Sequence, residues 1–416
     1  MKILILCDHF PPAFGPRMGY LCKYLKQKGV KVAVVTEYIK DDTFAFLQGD
    51  TDVVRVSFYK SENPAGNFLE WIMIFLLDIF FGYKNRRIYR EARRKTCTNN
   101  FDLILCSTYR LFPLPAACRI AKKMHLPLVV DLRDVIEQFT GNEFIGHTLP
   151  RMGGMENIVA KIFKKISLTR RNRILRQAAH VTTVSTWHTK LLAQYNPHVS
   201  LIYNGFDADV FYPEVVKREQ FYITYTGRLV SILLRNPALL FEAVKQLADE
   251  KIIDTERFRL RWFTDEKSRR ILQQEAAKYY PVANLMEYHE YVFATKIPAI
   301  LNESSIVLLL TNKSGEKGPK GIMTTKFFEA LAVERPVLCV RGDEDCLEEA
   351  ICRTRSGLSA HNVQETKQFI EEHYRRWIAC GWTSVDVDRV EIEKFSRRKQ
   401  AEQFIYIFEQ ILKGNG

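Results

Sequence analysis

The sequence predicts an α/β protein made of two Rossmann-like, doubly wound halves. Three observations predict it. Short apolar runs rich in β-branched residues alternate with amphipathic helical segments along the chain. The alternation begins afresh near residue 200. And 416 residues exceed one ordinary domain but suit two, since domains run to roughly 100–150 residues most often and to about 250 at most.

The first strand is Lys2–Cys7, followed by the loop His9–Pro16, a helix over Met18–Lys28 and, after Gly29, a strand over Val30–Thr36. That is one βαβ unit, which calls for a parallel sheet. Further strands are expected at Val53–Phe58, Leu103–Ser107, Leu128–Asp131 and Val181–Ser185, with helices at Leu114–Met124 and Ile158–Gln177. The second half reads as strands Leu201–Tyr203, Tyr222–Thr226, Arg259–Phe263, Met286–His289, Ile306–Leu310 and Pro336–Val340. Its helices are expected at Pro237–Glu250, Lys267–Tyr279, Lys296–Asn302, Thr324–Ala332 and Asp345–Ile351, and a last helix at Glu391–Leu412 with a C-cap in Lys413–Gly416. Domains are therefore expected at 1–198 and 199–392, with 393–416 as a helix crossing back to the first. Open α/β sheets bind ligands at the C-terminal ends of their strands, so two such sheets facing across a cleft would enclose two substrates.

Composition narrows the class. Hydrophobic residues make up 47% and charged residues 26%, which supplies two cores and excludes a disordered chain. Lys and Arg number 61 against 48 acids, a net charge of +13 that favours anionic partners. The nine cysteines are scattered with no C-x-x-C pair, the pattern of reduced thiols in a cytoplasm, and a zinc site is not expected. The apolar run at the N-terminus stops at Asp8 and reads as a strand, not a signal peptide; no uncharged apolar run is long enough for a transmembrane helix. Zinc-finger, RRM and helix-turn-helix patterns are missing, so nucleic acid is not expected as a partner.

Four segments carry candidate chemistry. In Gly315–Val340, Gly315, Gly318 and Gly321 precede a helix that Thr324 is placed to N-cap. The free N–H groups of such a helix start suit a phosphate. Lys326 and Glu329 share a face, with Glu329 placed to accept from a ribose diol, while Phe328 and Leu331 face the core. A capped surface helix would give the same pattern. In Tyr225–Leu229, Arg228 ends a strand and Arg235 opens the next helix; both suit a diphosphate, or else are solvated. In the loop Phe14–Arg17, Gly15 allows close backbone approach, but the dinucleotide fingerprint is absent. In Val129–Asp134, Asp134 lies at a strand's C-terminal end as a candidate base, or as an ion-pair partner of Arg133. His9 is a minor candidate.

Taken together these residues resemble a bacterial glycosyltransferase of family 4, with the GT-B fold. The resemblance spans nearly the whole chain. It rests on Gly15, Asn204-Gly205-Phe206-Asp207, Gly227-Arg228-Leu229, Lys326–Ala332 with Arg335-Pro336-Val337-Leu338, and Phe395-Ser396-Arg397-Arg398. It implies an acceptor-binding first domain, a donor-binding second domain, and transfer with retention, without metal or cofactor, from a nucleotide-sugar. It implies that Glu329 binds the donor ribose and Arg228 the diphosphate, with Arg235 as the match for a lysine that the family carries shortly after. With the residue reading the candidate set is Asp134, Lys326 and Glu329 for catalysis, Asp134 being the second choice of base after a leaving phosphate oxygen, and Gly15, Arg17, Gly227, Arg228, Arg235, Gly321, Thr324 and Thr325 for the donor. Two positions depart from the family pattern. Gly321 stands where many members carry a glutamate, which throws weight on Lys326, and Glu334 stands where a glycine often precedes Arg-Pro-Val.

Membrane contact is a further expectation. Phe68–Phe81 is strongly apolar yet carries Glu70 and Asp78, and Lys84–Lys95 follows with seven basic residues and one acid. Lys161–Arg176 interleaves basic and apolar residues. Such segments suit an interfacial helix on anionic lipid, or a core helix beside a solvated one. The expectation is a cytoplasmic protein on the inner face of the cell membrane, with a lipid-linked or saccharide acceptor, working in surface polysaccharide or lipopolysaccharide synthesis. A nucleotide-sugar epimerase of the same fold and a non-catalytic binding module are the alternatives.

Overall fold

The computed structural model describes residues 1–59, 64–138, 155–232, 235–311, 321–340 and 346–414. Gly315, Gly318, Asp345, Asn415 and Gly416, named above, lie outside the described residues. In chain order the first part contains β1 (Lys2–Cys7), α1 (Pro16–Gln27), β2 (Lys31–Glu37), β3 (Asp52–Val56), α2 (Pro64–Phe81), α3 (Tyr83–Thr98), β4 (Leu103–Thr108), α4 (Leu114–Met124), β5 (Leu128–Leu132), α5 (Met155–Leu175), β6 (His180–Thr183), α6 (Thr186–Leu192) and β7 (Val199–Leu201). There follow β8 (Phe221–Thr226), α7 (Ala238–Asp249), β9 (Phe258–Phe263), α8 (Glu266–Ala276), β10 (Met286–His289), α9 (Ile297–Asn302), β11 (Ile306–Leu310), α10 (Thr325–Ala332), β12 (Val337–Val340), α11 (Cys346–Thr354), β13 (Gly357–Ala360), α12 (Val363–Cys380), α13 (Arg389–Glu393) and α14 (Arg397–Gly414).

The chain divides into two compact units, Met1–Tyr203 with Gln400–Gly416, and Asn204–Lys399. The junctions thus fall a few residues beyond 198 and 392. The strand expected to open the second half is corrected: Val199–Leu201 pairs with β6 and closes the first sheet. A single long last helix is also corrected. It is two helices, broken at Lys394–Ser396, where Ser396 pairs with Phe206 in a parallel bridge. Phe206 N–H donates to the Phe395 carbonyl at 3.1 Å, and the Arg397 N–H donates to the Phe206 carbonyl at 2.7 Å. Backbone bonds to another segment replace the bonds a continuous helix would make.

The first unit is a parallel sheet in the order β3-β2-β1-β4-β5-β6-β7. Both faces are covered, as parallel sheets require. Period-two alternation decides which residue goes where. Ile3, Ile5 and Cys7 of β1 pack with Met18, Leu21 and Leu25 of α1 and with Phe404 and Phe408 of α14. Leu4 and Leu6 face the other way, toward Ile88 and Ala92 of α3 and Leu114, Ala117 and Ile120 of α4. Each such buried side chain contributes about 1.5–3 kcal/mol. The second unit repeats the design in the order β10-β9-β8-β11-β12-β13, with Tyr225, Trp262, Phe241 and Trp377 in its core.

Two residues of the Glu334–Leu338 segment shape this second unit. Glu334 has φ +52, a left-handed turn that a glycine would take without strain, and its carboxylate pairs with Arg389 at 2.9 Å. Arg335 is a buried clamp. Its guanidinium donates to the carbonyls of Thr383 at 2.6 Å, Glu214 at 2.5 Å and Asn302 at 2.6 Å. Burial lowers its pKa to about 10. Replacing Arg335 by Ala strands three buried acceptors, each costing about 1–3 kcal/mol. Arg335→Ala is therefore expected to lower the urea midpoint sharply, and Arg335→Lys to restore little, because an ammonium lacks the planar fork. A Lys variant as stable as wild type would refute the clamp.

Candidate functional site

Ligands of an open α/β sheet gather where the strand order reverses, beyond the C-terminal strand ends. In the second sheet that point lies between β8 and β11. The loop after β8 contains Gly227 and Arg228, and α10 follows β11 through residues of which the described part begins at Gly321. Gly227 has φ +116, and a Cβ there would lie 2.5 Å from Lys326 Cε and 2.6 Å from Nζ. Only glycine lets the lysine lie against the loop. Lys326 Nζ donates to the Tyr225 hydroxyl at 3.4 Å and sits 4.8 Å from its ring centroid. The Tyr225 hydroxyl donates to the Arg228 carbonyl at 3.0 Å. Arg235 also donates to that carbonyl and lies 3.5 Å from the Tyr225 hydroxyl, so its place beside Lys326 is fixed.

Arg228 is 64% exposed, with Nε 3.3 Å from Asp265 and its guanidinium over the Tyr291 ring. Asp265 caps α8 by accepting from the Ser268 N–H at 2.9 Å, and the Ser268 hydroxyl accepts from the Leu229 N–H at 2.9 Å. The next residue, Val230, has φ +67, a strained conformation for a β-branched side chain.

Thr324 occupies the N-cap of α10 but makes no side-chain cap bond, so the capping role expected for its hydroxyl is corrected. The Phe327 N–H bonds to the Thr324 carbonyl at 3.1 Å, and among the described residues the N–H groups of Thr325 and Lys326 are the donors left at the helix start. Gly321 has φ +69, a conformation that disfavours a glutamate. Glu329 is one turn into α10 and makes no hydrogen bond among the described residues. Burial raises its pKa to about 7, against the opposing pull of Lys326 and Arg397. Burial also lowers Lys326 to about 7, helped by repulsion from Arg235 and opposed by Glu329. Phe327 and Phe328 anchor α10 on Phe395, at centroid distances of 6.1 and 5.4 Å. The segment holding Glu329 thus packs on the segment holding Arg397.

In the first sheet the order reverses between β1 and β4. Their ends carry Asp8 and His9, and Tyr109 and Arg110. Asp8 is fully buried and pairs with Arg133, with Arg110 Nε at 3.8 Å and the Thr108 hydroxyl donating at 3.3 Å. His9 Nε2 lies 3.4 Å from Arg110 Nη2. Arg133 therefore pairs with Asp8, not with Asp134. Asp134 accepts instead from the Gln138 amide at 2.8 Å, and Gln138 accepts from His188 Nε2 at 2.8 Å. Burial raises the Asp134 pKa, while Gln138 and Arg133 oppose. Burial also holds His188 neutral, at about 4.

Gly15 and Arg17 are both buried. Gly15 lies against its own loop: a Cβ would meet the Phe10 backbone at 2.7 Å. Arg17 is 2% exposed and corrected to a structural role. It donates to Asp131 at 2.8 and 2.9 Å and to the carbonyls of Ile202 and Tyr203 at 3.0 and 3.1 Å. Asp131 also accepts from Ser107 at 2.7 Å and Thr182 at 2.8 Å. Asp8, Arg110, Tyr225 and Gln138 were not singled out in the sequence. Position just past a strand could have flagged Asp8 and Arg110, but only the strand order shows that those two strands flank the reversal. Among the described residues no group of three or more His, Cys, Asp or Glu could hold a metal ion.

Two Rossmann-like parallel sheets, each with its polar cluster at the reversal of strand order, define a GT-B chain. Residues 17–210 match the family model of Glycosyltransferase Family 4. It is similar over 100% of both chains to sucrose-phosphate synthase from Thermosynechococcus elongatus, at 13% identity and a TM-score of 0.63. It is similar to Anabaena HepE in complex with UDP and glucose, at 14% identity and a TM-score of 0.61, covering 99% of this chain and 100% of that one. A putative UDP-N-acetylglucosamine 2-epimerase from Listeria monocytogenes has a TM-score of 0.55 at 12% identity, covering 97% and 94%. No curated protein matches the sequence.

Two measurements follow from the geometry. Asp131→Ala leaves the Arg17 charge buried without its carboxylate, and stability is expected to fall by about 3–5 kcal/mol. An unchanged unfolding curve would contradict the pairing. Lys326 has a folded pKa of about 7 against an ordinary 10.5, so between those values the unfolded chain holds its proton more tightly. Lys326→Met should therefore be more stable than wild type at pH 7, with the difference shrinking as pH rises toward 10. A pH-independent difference in thermal midpoint would show that Lys326 is not desolvated.

Proposed function

We propose that the chain is a retaining glycosyltransferase that moves a sugar from a nucleotide-sugar to a lipid-linked saccharide acceptor. The second unit takes the donor, and the first unit takes the acceptor. The cluster at the β8–β11 reversal carries the reading: a Glu329 carboxylate with no hydrogen bond among the described residues, beside Lys326 and near the start of α10. Glu329 accepts from the ribose diol. Lys326, Arg228, Arg235 and the Gly321–Thr325 segment face the diphosphate, where charge grows as the sugar departs. The similarity to a structure solved with UDP and glucose favours a uridine nucleotide.

In the proposed step an acceptor hydroxyl attacks the anomeric carbon on the face that the diphosphate leaves. The new C–O bond forms as the bond to the diphosphate breaks, and the hydroxyl proton passes to a leaving phosphate oxygen. Asp134 is the second candidate for that proton, its raised pKa favouring uptake. No metal ion or cofactor is assigned to the step. The basic and apolar segments of the first unit support work at the inner face of a cell membrane, in surface polysaccharide or lipopolysaccharide synthesis. Among the described residues no helix is long and apolar enough to cross a membrane, so attachment would be peripheral.

A 2-epimerase is the second reading, favoured by the structural similarity to such a protein. A thermal-shift panel of nucleotides and nucleotide-sugars tests the donor site. The expected result is selective stabilisation by one uridine nucleotide, about 2.7 kcal/mol at 100 times its Kd, abolished in Glu329→Ala. No response to any nucleotide would favour a non-catalytic module. Conversion of the nucleotide-sugar to its 2-epimer without added acceptor would replace transfer by epimerisation.

A further inference from the structure

The first unit contains a cavity of about 520 Å³ between α2, α3, α4 and α5. Its walls are largely apolar, with Ile74 and Phe75 from α2 and Phe163 and Ile166 from α5. Basic groups collect at it: Lys84, Arg110, Arg170 and Arg173. Lys84 is paired with Glu37 at 2.6 Å, and Arg110 reaches Asp8. Arg170 and Arg173 have no partner among the described residues, whereas Arg171, between them, is paired with Glu137 at 2.5 Å. One acid lines the cavity, Asp78, whose carboxylate accepts from the Lys84 N–H at 2.8 Å and whose pKa burial raises.

The outer faces continue this arrangement. On α5, Ile158, Ile162, Ile166, Arg170 and Arg173 recur at helical spacing, so three isoleucines lead into the two arginines on one face. The isoleucines are 60%, 54% and 43% exposed. On α2, Phe68, Leu69, Met73, Leu76, Phe80 and Phe81 are also exposed, each by 47% or more. An apolar trough ending in cations that have no partner among the described residues matches one ligand chemistry: a hydrocarbon chain with an anionic head.

We propose that this cavity binds a single phosphate-headed lipid, the carrier of the acceptor. The inference rests on the transfer reading for its purpose, but the site itself is separate from the donor cluster. The chain lies along Phe75, Phe163 and Ile166, and the phosphate sits among Arg170, Arg173 and Arg110. Arg110 fixes what this does. It lines the cavity and also lies 3.8 Å from Asp8 and 3.4 Å from His9 at the strand reversal. A phosphate held at Arg110 would deliver its attached sugar to the sheet edge where Arg133 and Asp134 stand.

The test uses the full chain with dodecyl phosphate, against inorganic phosphate and the uncharged dodecyl maltoside, all below their micelle concentrations. Titration calorimetry and native mass spectrometry read affinity and number bound. One dodecyl phosphate per chain is expected, at least about tenfold tighter than either control, because each buried methylene adds about fourfold and each arginine adds charge-assisted bonds. Charge reversal at the exposed pair, Arg170→Glu with Arg173→Glu, should weaken binding by about tenfold or more. Its melting temperature and nucleotide response should be unchanged. Equal binding of dodecyl maltoside, unchanged affinity in the reversed variant, or several chains per protein would overturn the proposal. So would binding to phosphatidylglycerol vesicles without uptake of dodecyl phosphate, which would make the face a membrane dock only, or a dimer broken by Ile166→Glu, which would assign it to a second copy. Lost nucleotide response with lipid binding retained would sink the transfer reading and leave this site standing.

Discussion

Parallel strands can be joined only by crossovers, and that constraint organises both units. Each crossover returns the chain to the same edge, so every loop that follows a strand gathers at one side of its sheet. Where the strand order reverses, two of those loops diverge and leave room. Asp8 and Arg110 meet at one reversal, and Gly227 and the start of α10 flank the other. Neither cluster is local in sequence; Asp8 and Arg110 are brought together only by β1 pairing with β4.

Desolvation then sets the chemistry of the second cluster. Lys326 and Glu329 stand one turn apart on α10, and both are shifted to about 7 from opposite sides. The close approach that the missing Cβ of Gly227 allows brings the ammonium under the β8 loop. Phe327, Phe328 and Phe395 hold the other side of the helix in place. A charge buried this way is costly in the free protein and most effective when an anion arrives. The first unit solves its buried charge differently. Arg17 and Asp131 saturate one another and their neighbours, so that pair stabilises the sheet and has no capacity left for a ligand.

The apolar segments of the first unit had two sequence readings, and exposure separates them. A core helix would bury its large side chains. In α2, Ile74 is buried at 3%, but Phe68, Leu69 and Phe80 are more than 60% exposed. Such a surface calls for a partner in its working state. Ile74 and Phe75 of the same helix line the cavity that also carries Arg170 and Arg173, which have no partner among the described residues.

Period and punctuation in the sequence determined most of the architecture: the alternation of strands and helices, the split into two halves, and the burial of β1 residues on alternate faces. The sequence also marked Gly227, Lys326 and Glu329, because glycine and a charged helix turn after a strand leave a local signature. Element ends shifted by a few residues, and β13, α6 and α12 were missed: Gly357–Ala360 is too short to show a period, whereas α6 and α12 carried readable caps, Ser185 and Asn362 at their starts and Gly381 at the end of α12. Tertiary structure alone decided the rest. It assigned Val199–Leu201 to the first sheet, turned Arg17 inward, paired Arg133 with Asp8, and placed Arg170 and Arg173 at a cavity. Each of those outcomes depends on which distant strand or helix lies alongside, and a linear pattern records the type of each residue but not its neighbours in space.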